Sequence, residues 1–198
     1  PSGVLVMPLE SVKTLLILGN NPETALIVET ANAMGIRTLV TNQFSSSPAK
    51  KVASVKYGID PTNQMFIDEL ILKEKVTGVL LGVSDPLLPY YFEICKRNNL
   101  PCYVNERTAE AFSSKKNFAS ICQEFGIKSI PQIAVTSLMD FEINEELFPV
   151  VVKPVDGGAS VGVSICRNSE ELKQGLHHAI KVSIRGEAVI EKTMNCDD

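Results

Sequence analysis

Residues 151–165 read VVKPVDGGASVGVSI: an apolar run, one lysine near its end, then a stretch with almost no side chains. Glycines let backbone N–H groups come close to a ligand, and a lysine beside them adds a point charge, so the pairing points to an anion. Neither common phosphate motif fits. A Walker loop places its lysine after the glycines, whereas Lys153 precedes them; a dinucleotide fingerprint runs GxGxxG from strand to helix, whereas these glycines run GGxxxG into another strand. What remains is a strand–loop–strand flap. Gly157, Gly158 and Gly162 would offer backbone N–H groups, Ser160 a hydroxyl and Lys153 an ammonium. Taken alone, the same pattern also describes an ordinary hairpin turn with a solvated lysine.

Upstream of the flap the chain alternates strand and helix signals. TLLILGN (14–20) is a continuous apolar run closed by Gly and Asn, the pattern of a strand buried on both faces. In the following segment Asn21 caps, Pro22 suits a first helical turn and Gly35 ends the helix. RTLVTN (37–42) is the next strand, MFIDELILKEK (65–75) a helix, VTGVLLGVSD (76–85) a strand, PYYFEICKRN (89–98) a helix, and PCYVN (101–105) a closing strand. Strands separated by helices predict right-handed crossovers, hence an α/β fold built on an open parallel Rossmann-like sheet. In such sheets ligands sit beyond the carboxyl ends of the strands, which marks GNNPET (19–24) and GVSDP (82–86). Asn20, Asn21 and Thr24 are tentative substrate-binding residues there, and Asp85 is either a fourth or a plain helix cap.

The rhythm then changes. In TAEAFSSKKNFASICQEFGI the residues Phe118, Ile121, Cys122 and Phe125 share one helical face, with Ser113 or Ser114 as cap and Gly126 as end. PQIAVTS, FPVVVKPV and SVGVSIC read as strands, a helix capped by Asn168 follows, and EAVIEK is the last strand. These elements form a small α+β unit. The expected division is a tail at 1–13 (native, or a remnant ahead of Met7), an α/β domain at 14–108, and a linker helix with the small subdomain at 109–198.

With these elements in order, the chain resembles the ATP-grasp superfamily. The likeness rests on SK–x10–GI, then VVVKPxxGGASVGV, then VIEKTM, and is nearest to carbamoyl phosphate synthase large subunits, biotin carboxylases and related carboxylate–amine ligases. The flap is also similar to that of D-alanine–D-alanine ligases. The resemblance implies ATP as the nucleotide. Lys115 stands where the superfamily has a basic residue touching the phosphates, eleven positions before Gly126. Lys153 matches the strand-end lysine on the α- and β-phosphates, and Gly157, Gly158, Ser160 and Gly162 match the flap. Glu191, Lys192, Thr193 and Met194 match the adenine hinge. Asp198, with Asp197 as the alternative, falls where an acid often meets the ribose.

The superfamily carries its magnesium ligands after the hinge, so the resemblance predicts a chain truncated within the domain at Asp198. Magnesium ligands are then expected beyond it, and neither a metal ligand nor a catalytic residue within. The implied activity is ATP-dependent ligation through an acyl-phosphate, with a small-molecule carboxylate or bicarbonate and a nucleophile as partners. The alternative is a non-catalytic nucleotide- or sugar-binding α/β module. A dehydrogenase is disfavoured because GNNPET lacks the required glycines.

Composition narrows the rest. A net charge of −4 gives no basic surface for nucleic acid or an anionic membrane, and no apolar run nears the length of a span. The start PSGVLVMPLESVK lacks the basic region of a signal peptide. Five cysteines without CxxC spacing fit reduced thiols and a cytoplasmic setting. His177 and His178 fall on the polar side of their helix and read as surface residues. Homo-oligomerisation is left open.

Overall fold

The computed structural model describes residues 12–194. The chain divides into two compact units, Pro1–Tyr103 and Val104–Asp198.

The first unit is a four-stranded, all-parallel sheet of order β3-β2-β1-β4, formed by β1 (Thr14–Leu18), β2 (Arg37–Thr41), β3 (Val55–Tyr57) and β4 (Gly78–Leu81). Leu16, Ile17 and Leu18 are all fully buried, as a central strand covered on both faces requires. Helix α1 (Pro22–Ala33) and the short α2 (Pro48–Val52) contribute Val28 and Ala49 to a cluster with Ile17 and Val40. Strand alternation puts Leu16, Leu18 and Leu39 on the opposite face. Helices α3 (Gln64–Glu74) and α4 (Leu88–Arg97) bury Ile67, Leu70, Ile71, Tyr91 and Ile94.

Two differences from the sequence reading have local causes. Helix α2 and strand β3 were not expected, although Ser47 caps α2 by accepting from the Lys50 N–H and Pro48 opens it. Conversely, PCYVN is not a strand. Pro101 has no N–H to give a ladder, and the Tyr103 N–H donates to the Tyr91 hydroxyl at 3.1 Å instead.

One polar cluster in this unit contributes to its acid response. Glu74, at the end of α3, accepts from the Tyr57 hydroxyl of β3 and from Arg37 of β2 at 2.5 Å. The Tyr57 hydrogen bond first, and the Arg37 guanidinium second, hold its carboxyl below the usual carboxylate range. Because the native value is lowered, the stabilisation is complete above the unfolded value of about 4.3 and disappears as pH falls through the native value. Arg37 is partly exposed, so Glu74→Gln is expected to cost about 1 kcal/mol at neutral pH. Hydrogen exchange at β1 and β2 should show the two proteins converging in acid; a constant gap would remove the ionised Glu74 from the account.

The second unit is an antiparallel sheet of order β5-β8-β6-β7: β5 (Gln132–Thr136), β6 (Val150–Pro154), β7 (Ser164–Cys166) and β8 (Ala188–Lys192). Helix α7 (Ser169–Val182) packs Leu172, Leu176 and Ala179 against Val150, Val152 and Ile190. The expected linker helix is two helices, α5 (Glu106–Ser113) and α6 (Lys115–Glu124), broken at Ser114, which is extended and whose hydroxyl caps α6 by accepting from the Asn117 N–H. The third strand is also shorter than SVGVSIC. Residues 157–163 form turns, with Gly157, Ala159, Ser160 and Gly162 all at positive φ, which no strand tolerates.

Candidate nucleotide site

Strand β6 and helix α6 meet where the sequence placed its two lysines. The Lys115 N–H, at the first position of α6, donates to the Val155 carbonyl just past β6 at 2.8 Å. That bond fixes the start of the helix beside the end of the strand. The Lys115 ammonium donates to the Asp156 and Gly157 carbonyls, both at 3.1 Å, at the base of the flap. Lys153, one residue from the end of β6, pairs with Glu191 of the neighbouring β8, Nζ to Oε2 2.5 Å. Each ammonium has three donors, so these contacts leave each with N–H capacity to spare.

Both lysines line one cleft of about 630 Å³. Its polar lining includes Lys115, Lys128, Lys153, Gln132 and Glu191; its apolar lining is Phe112, Phe118, Ala119, Cys122, Ile127 and Ile130. On the apolar stripe of α6 Cys122 is buried, but Phe118 stays 44% exposed and Phe125 65%. Burial lowers the Lys115 pKa, and the nearby Lys153 ammonium lowers it further against the opposing pull of Asp156 and Glu191. Two like charges held this close, with desolvation already disfavouring one of them, are an arrangement that a polyanion relieves.

Asp156 was not singled out from sequence, though it opens the quoted DGGAS. Its buried carboxylate accepts from the Ile184 and Arg185 N–H groups at 3.2 and 2.9 Å, tying the base of the flap to the turn after α7. Gln132, also missed, donates from Nε2 to the Lys115 carbonyl at 3.2 Å. Both are contacts between distant segments, and no local pattern marks them. Gly158 and Ser160 are exposed on the flap, whereas Gly162 is buried beneath it. At the hinge, Glu191 is buried in β8 and Lys192 is exposed. The Thr193 hydroxyl donates to the Pro149 carbonyl at 2.9 Å, and Met194 is 56% exposed. Asp197 and Asp198 lie outside the described residues.

The four first-unit residues sit in other surroundings. The Asn21 side-chain Oδ1 accepts from the Thr24 N–H and hydroxyl at 2.9 and 2.6 Å, and its Nδ2 donates to the Val83 carbonyl at 2.7 Å. Thr24 is fully buried and its hydroxyl also accepts from the Val83 N–H at 3.2 Å. These bonds lace the start of α1 to the loop after β4. Asn20 is half-buried, and Asp85 is exposed at the start of a single 3-10 turn.

The D-ala D-ala ligase C-terminus family matches residues 121–198, which contain the flap, its lysine and the hinge. Formate-dependent phosphoribosylglycinamide formyltransferase of Nitratiruptor sp. is 27% identical over 191 residues, 92% of this chain and 48% of the relative. Over residues 121–198 the chain is similar to that ATP-grasp family. Two solved structures show the same ATP-grasp fold. L-amino acid ligase from Bacillus licheniformis has a TM-score of 0.71 at 23% identity, covering 92% of this chain and 44% of that one. The biotin carboxylase domain of Hydrogenobacter thermophilus 2-oxoglutarate carboxylase, solved with MgADP and bicarbonate, has a TM-score of 0.72 at 20% identity with the same coverage. The chain spans about half the length of the curated relatives it matches.

Proposed function

We propose that this chain is the nucleotide-binding part of an ATP-dependent carboxylate–amine or bicarbonate ligase. The observation that carries the reading is the convergence of Lys115 and Lys153 on one cleft beside the flap. An ATP polyphosphate is held between the two ammonium groups and the backbone of residues 157–162, and the base lies toward β8 and its exit at 191–194. The apolar lining of the cleft takes a flat heterocycle; the polar lining takes charge.

In the reaction, a carboxylate oxygen attacks the γ-phosphorus and the bond to the β-phosphate oxygen breaks, releasing ADP. A nucleophile then attacks the acyl carbon and phosphate leaves. The two lysines stabilise the charge that moves to the departing phosphates and perform no proton chemistry. Magnesium is the metal this nucleotide chemistry implies. Among the described residues no group of three or more His, Cys, Asp or Glu could hold a metal ion. Asn20 and Asp85, beyond the strand ends of the first unit, are proposed for the acceptor, and Asn21 and Thr24 for shaping its loop.

Binding and chemistry are tested separately. ATP with magnesium is titrated by calorimetry against the wild type and Lys115→Met, and carboxylate-dependent ADP release is followed in the protein carried to its relatives' full length. Saturable binding weakened by the variant, with ADP release that needs a carboxylate, supports the ligase. Binding without any release leaves a nucleotide-binding module, and absence of binding sinks both.

The lowered Lys115 pKa adds a sign. Bound polyphosphate favours the ammonium, so binding draws in a proton once pH exceeds the native value of Lys115. Affinity should begin to fall with rising pH before the ordinary lysine range, and calorimetry in buffers of different ionisation enthalpy should register the uptake. Lys115→Arg should abolish the uptake while keeping most of the affinity, because a guanidinium does not titrate there. Equal proton uptake in that variant would exclude Lys115 as its source.

A further inference from the structure

Three stretches of the second unit, far apart in the chain, meet at one buried carboxylate. Asp156, two positions past β6, is engaged at both of its ends. Its Oδ1 accepts from the Ile184 N–H at 3.2 Å and its Oδ2 from the Arg185 N–H at 2.9 Å. Its main-chain carbonyl accepts from the Lys115 ammonium at 3.1 Å, as does the next carbonyl, that of Gly157. Neighbouring bonds complete the arrangement. The Val155 N–H donates to the Glu187 carbonyl at 3.0 Å, and the Arg185 guanidinium donates to the Ser113 hydroxyl at 3.2 Å. Residues 183–186 form a β-turn of their own, closed by the Gly186 N–H donating to the Ser183 carbonyl at 3.3 Å.

We propose that Asp156 is a positioning residue: it anchors the root of the flap to the turn after α7 and so holds the two carbonyls that keep the Lys115 ammonium in the cleft. Its part in binding rests on the nucleotide reading of that cleft; its hold on Lys115 does not. The need for an anchor comes from the next residue. Gly157 has φ +77° and open space where a side chain would stand, so nothing local stops the 156–157 peptide from turning away. A carboxylate supplies the two acceptors that two successive N–H groups require, whereas an amide supplies one and sets its own donors against the other N–H. The charge acts in the same sense. Burial lowers the Lys115 pKa and Lys153 lowers it further, while Asp156, with Glu191, opposes the fall and favours the ammonium.

Relaxation of the lysine ε-carbons, in protein carrying isotope-labelled lysine, reads the hold without any ligand. In the wild type the Lys115 ε-carbon should be more ordered than that of exposed Lys116. Asp156→Asn should bring it down to the Lys116 level, while Lys153, paired with Glu191, keeps its order in the same sample. A general loosening of the unit would free both. Ile184→Pro withdraws one of the two anchoring N–H groups and keeps the carboxylate. Ile184 is 71% exposed and second in its turn, a place that suits proline, so the fold is retained and Lys115 should lose order there too.

Calorimetry with ATP and magnesium reads the consequence. Asp156→Asn should weaken binding roughly tenfold when Lys115 is present and leave the affinity of Lys115→Met unchanged, because it acts through that ammonium. A Lys115 ε-carbon as ordered in both variants as in the wild type overturns the proposal, and so does an equal loss of affinity in both backgrounds. If the wild type binds no ATP, the nucleotide reading falls, and the relaxation data alone decide whether Asp156 holds Lys115.

Discussion

Lys153→Met is expected to have two large effects that a second substitution pulls apart. The Lys153 side chain is 20% exposed and its partner Glu191 only 6%, so removing the lysine leaves a carboxylate buried without its cation. Breaking one side of a buried pair costs about 3 kcal/mol, because the surviving charge is desolvated and uncompensated. The same change removes one of two cations from the proposed polyphosphate site. A charge-assisted contact of this kind is worth a loss of roughly 10- to 100-fold in affinity. Adding Glu191→Gln removes the orphaned charge, so the double variant should recover stability to within about 1 kcal/mol. Nucleotide affinity should stay low. Hydrogen exchange at β6 and β8 reads the first quantity, and calorimetry with ATP and magnesium the second. If affinity returns along with stability, Lys153 is only a strut for the sheet and the proposed site loses one of its two cations.

The parts of this account that were legible in the sequence are those coded locally. TLLIL is apolar from Leu15 to Leu18 because both its faces are covered, and the first-unit sheet follows from that run and from the strands and helices that alternate after it. Lys153 could be singled out because a cation rarely interrupts VVVKPV without a use, and glycines at 157, 158 and 162 follow it. The failures lie where tertiary partners decide. PCYVN has strand composition, but Pro101 withholds a donor and the Tyr91 hydroxyl takes another. The α6 stripe announced an apolar face and could not say what covers it; the structure turns Phe118 and Cys122 of that face to the cleft. The pairing of Lys153 with Glu191 joins residues 38 positions apart on adjacent strands, and only the β6–β8 register reveals it. Among the first-unit residues, Asn21 and Thr24 look like ligand groups in a linear reading. Their bonds to each other and to Val83 need the loop after β4 to be in place.

The flap glycines, which a sequence reading treats alike, should separate into two classes. Gly162 has φ +77°, and a Cβ there would stand 2.7 Å from Cγ of Pro154 and 3.4 Å from Cβ of Val182. The proline ring belongs to β6 and cannot swing away. Gly162→Ala therefore combines the left-handed penalty of about 1–2 kcal/mol with an overpacking cost of about 1–3 kcal/mol. Gly157 has the same φ but open space around it, so Gly157→Ala should cost only the conformational part. Gly158 has neither constraint, and Gly158→Ala should leave stability within about 0.5 kcal/mol of wild type. In the proposed site the open space over Gly158 is where phosphate approaches the backbone. Its alanine variant should then lose nucleotide affinity on the order of tenfold at unchanged stability. The chain has no Trp and divides into two units, so a single unfolding curve would mix them; exchange at β6 and β8 isolates the second. Two results contradict the division. A stable Gly162→Ala variant would mean the β6 contact yields, and a Gly158→Ala variant with wild-type affinity would mean the polyphosphate does not lie against the flap. Packing demands the first glycine, and in the proposed site access demands the second, so only the second tests what the cleft binds.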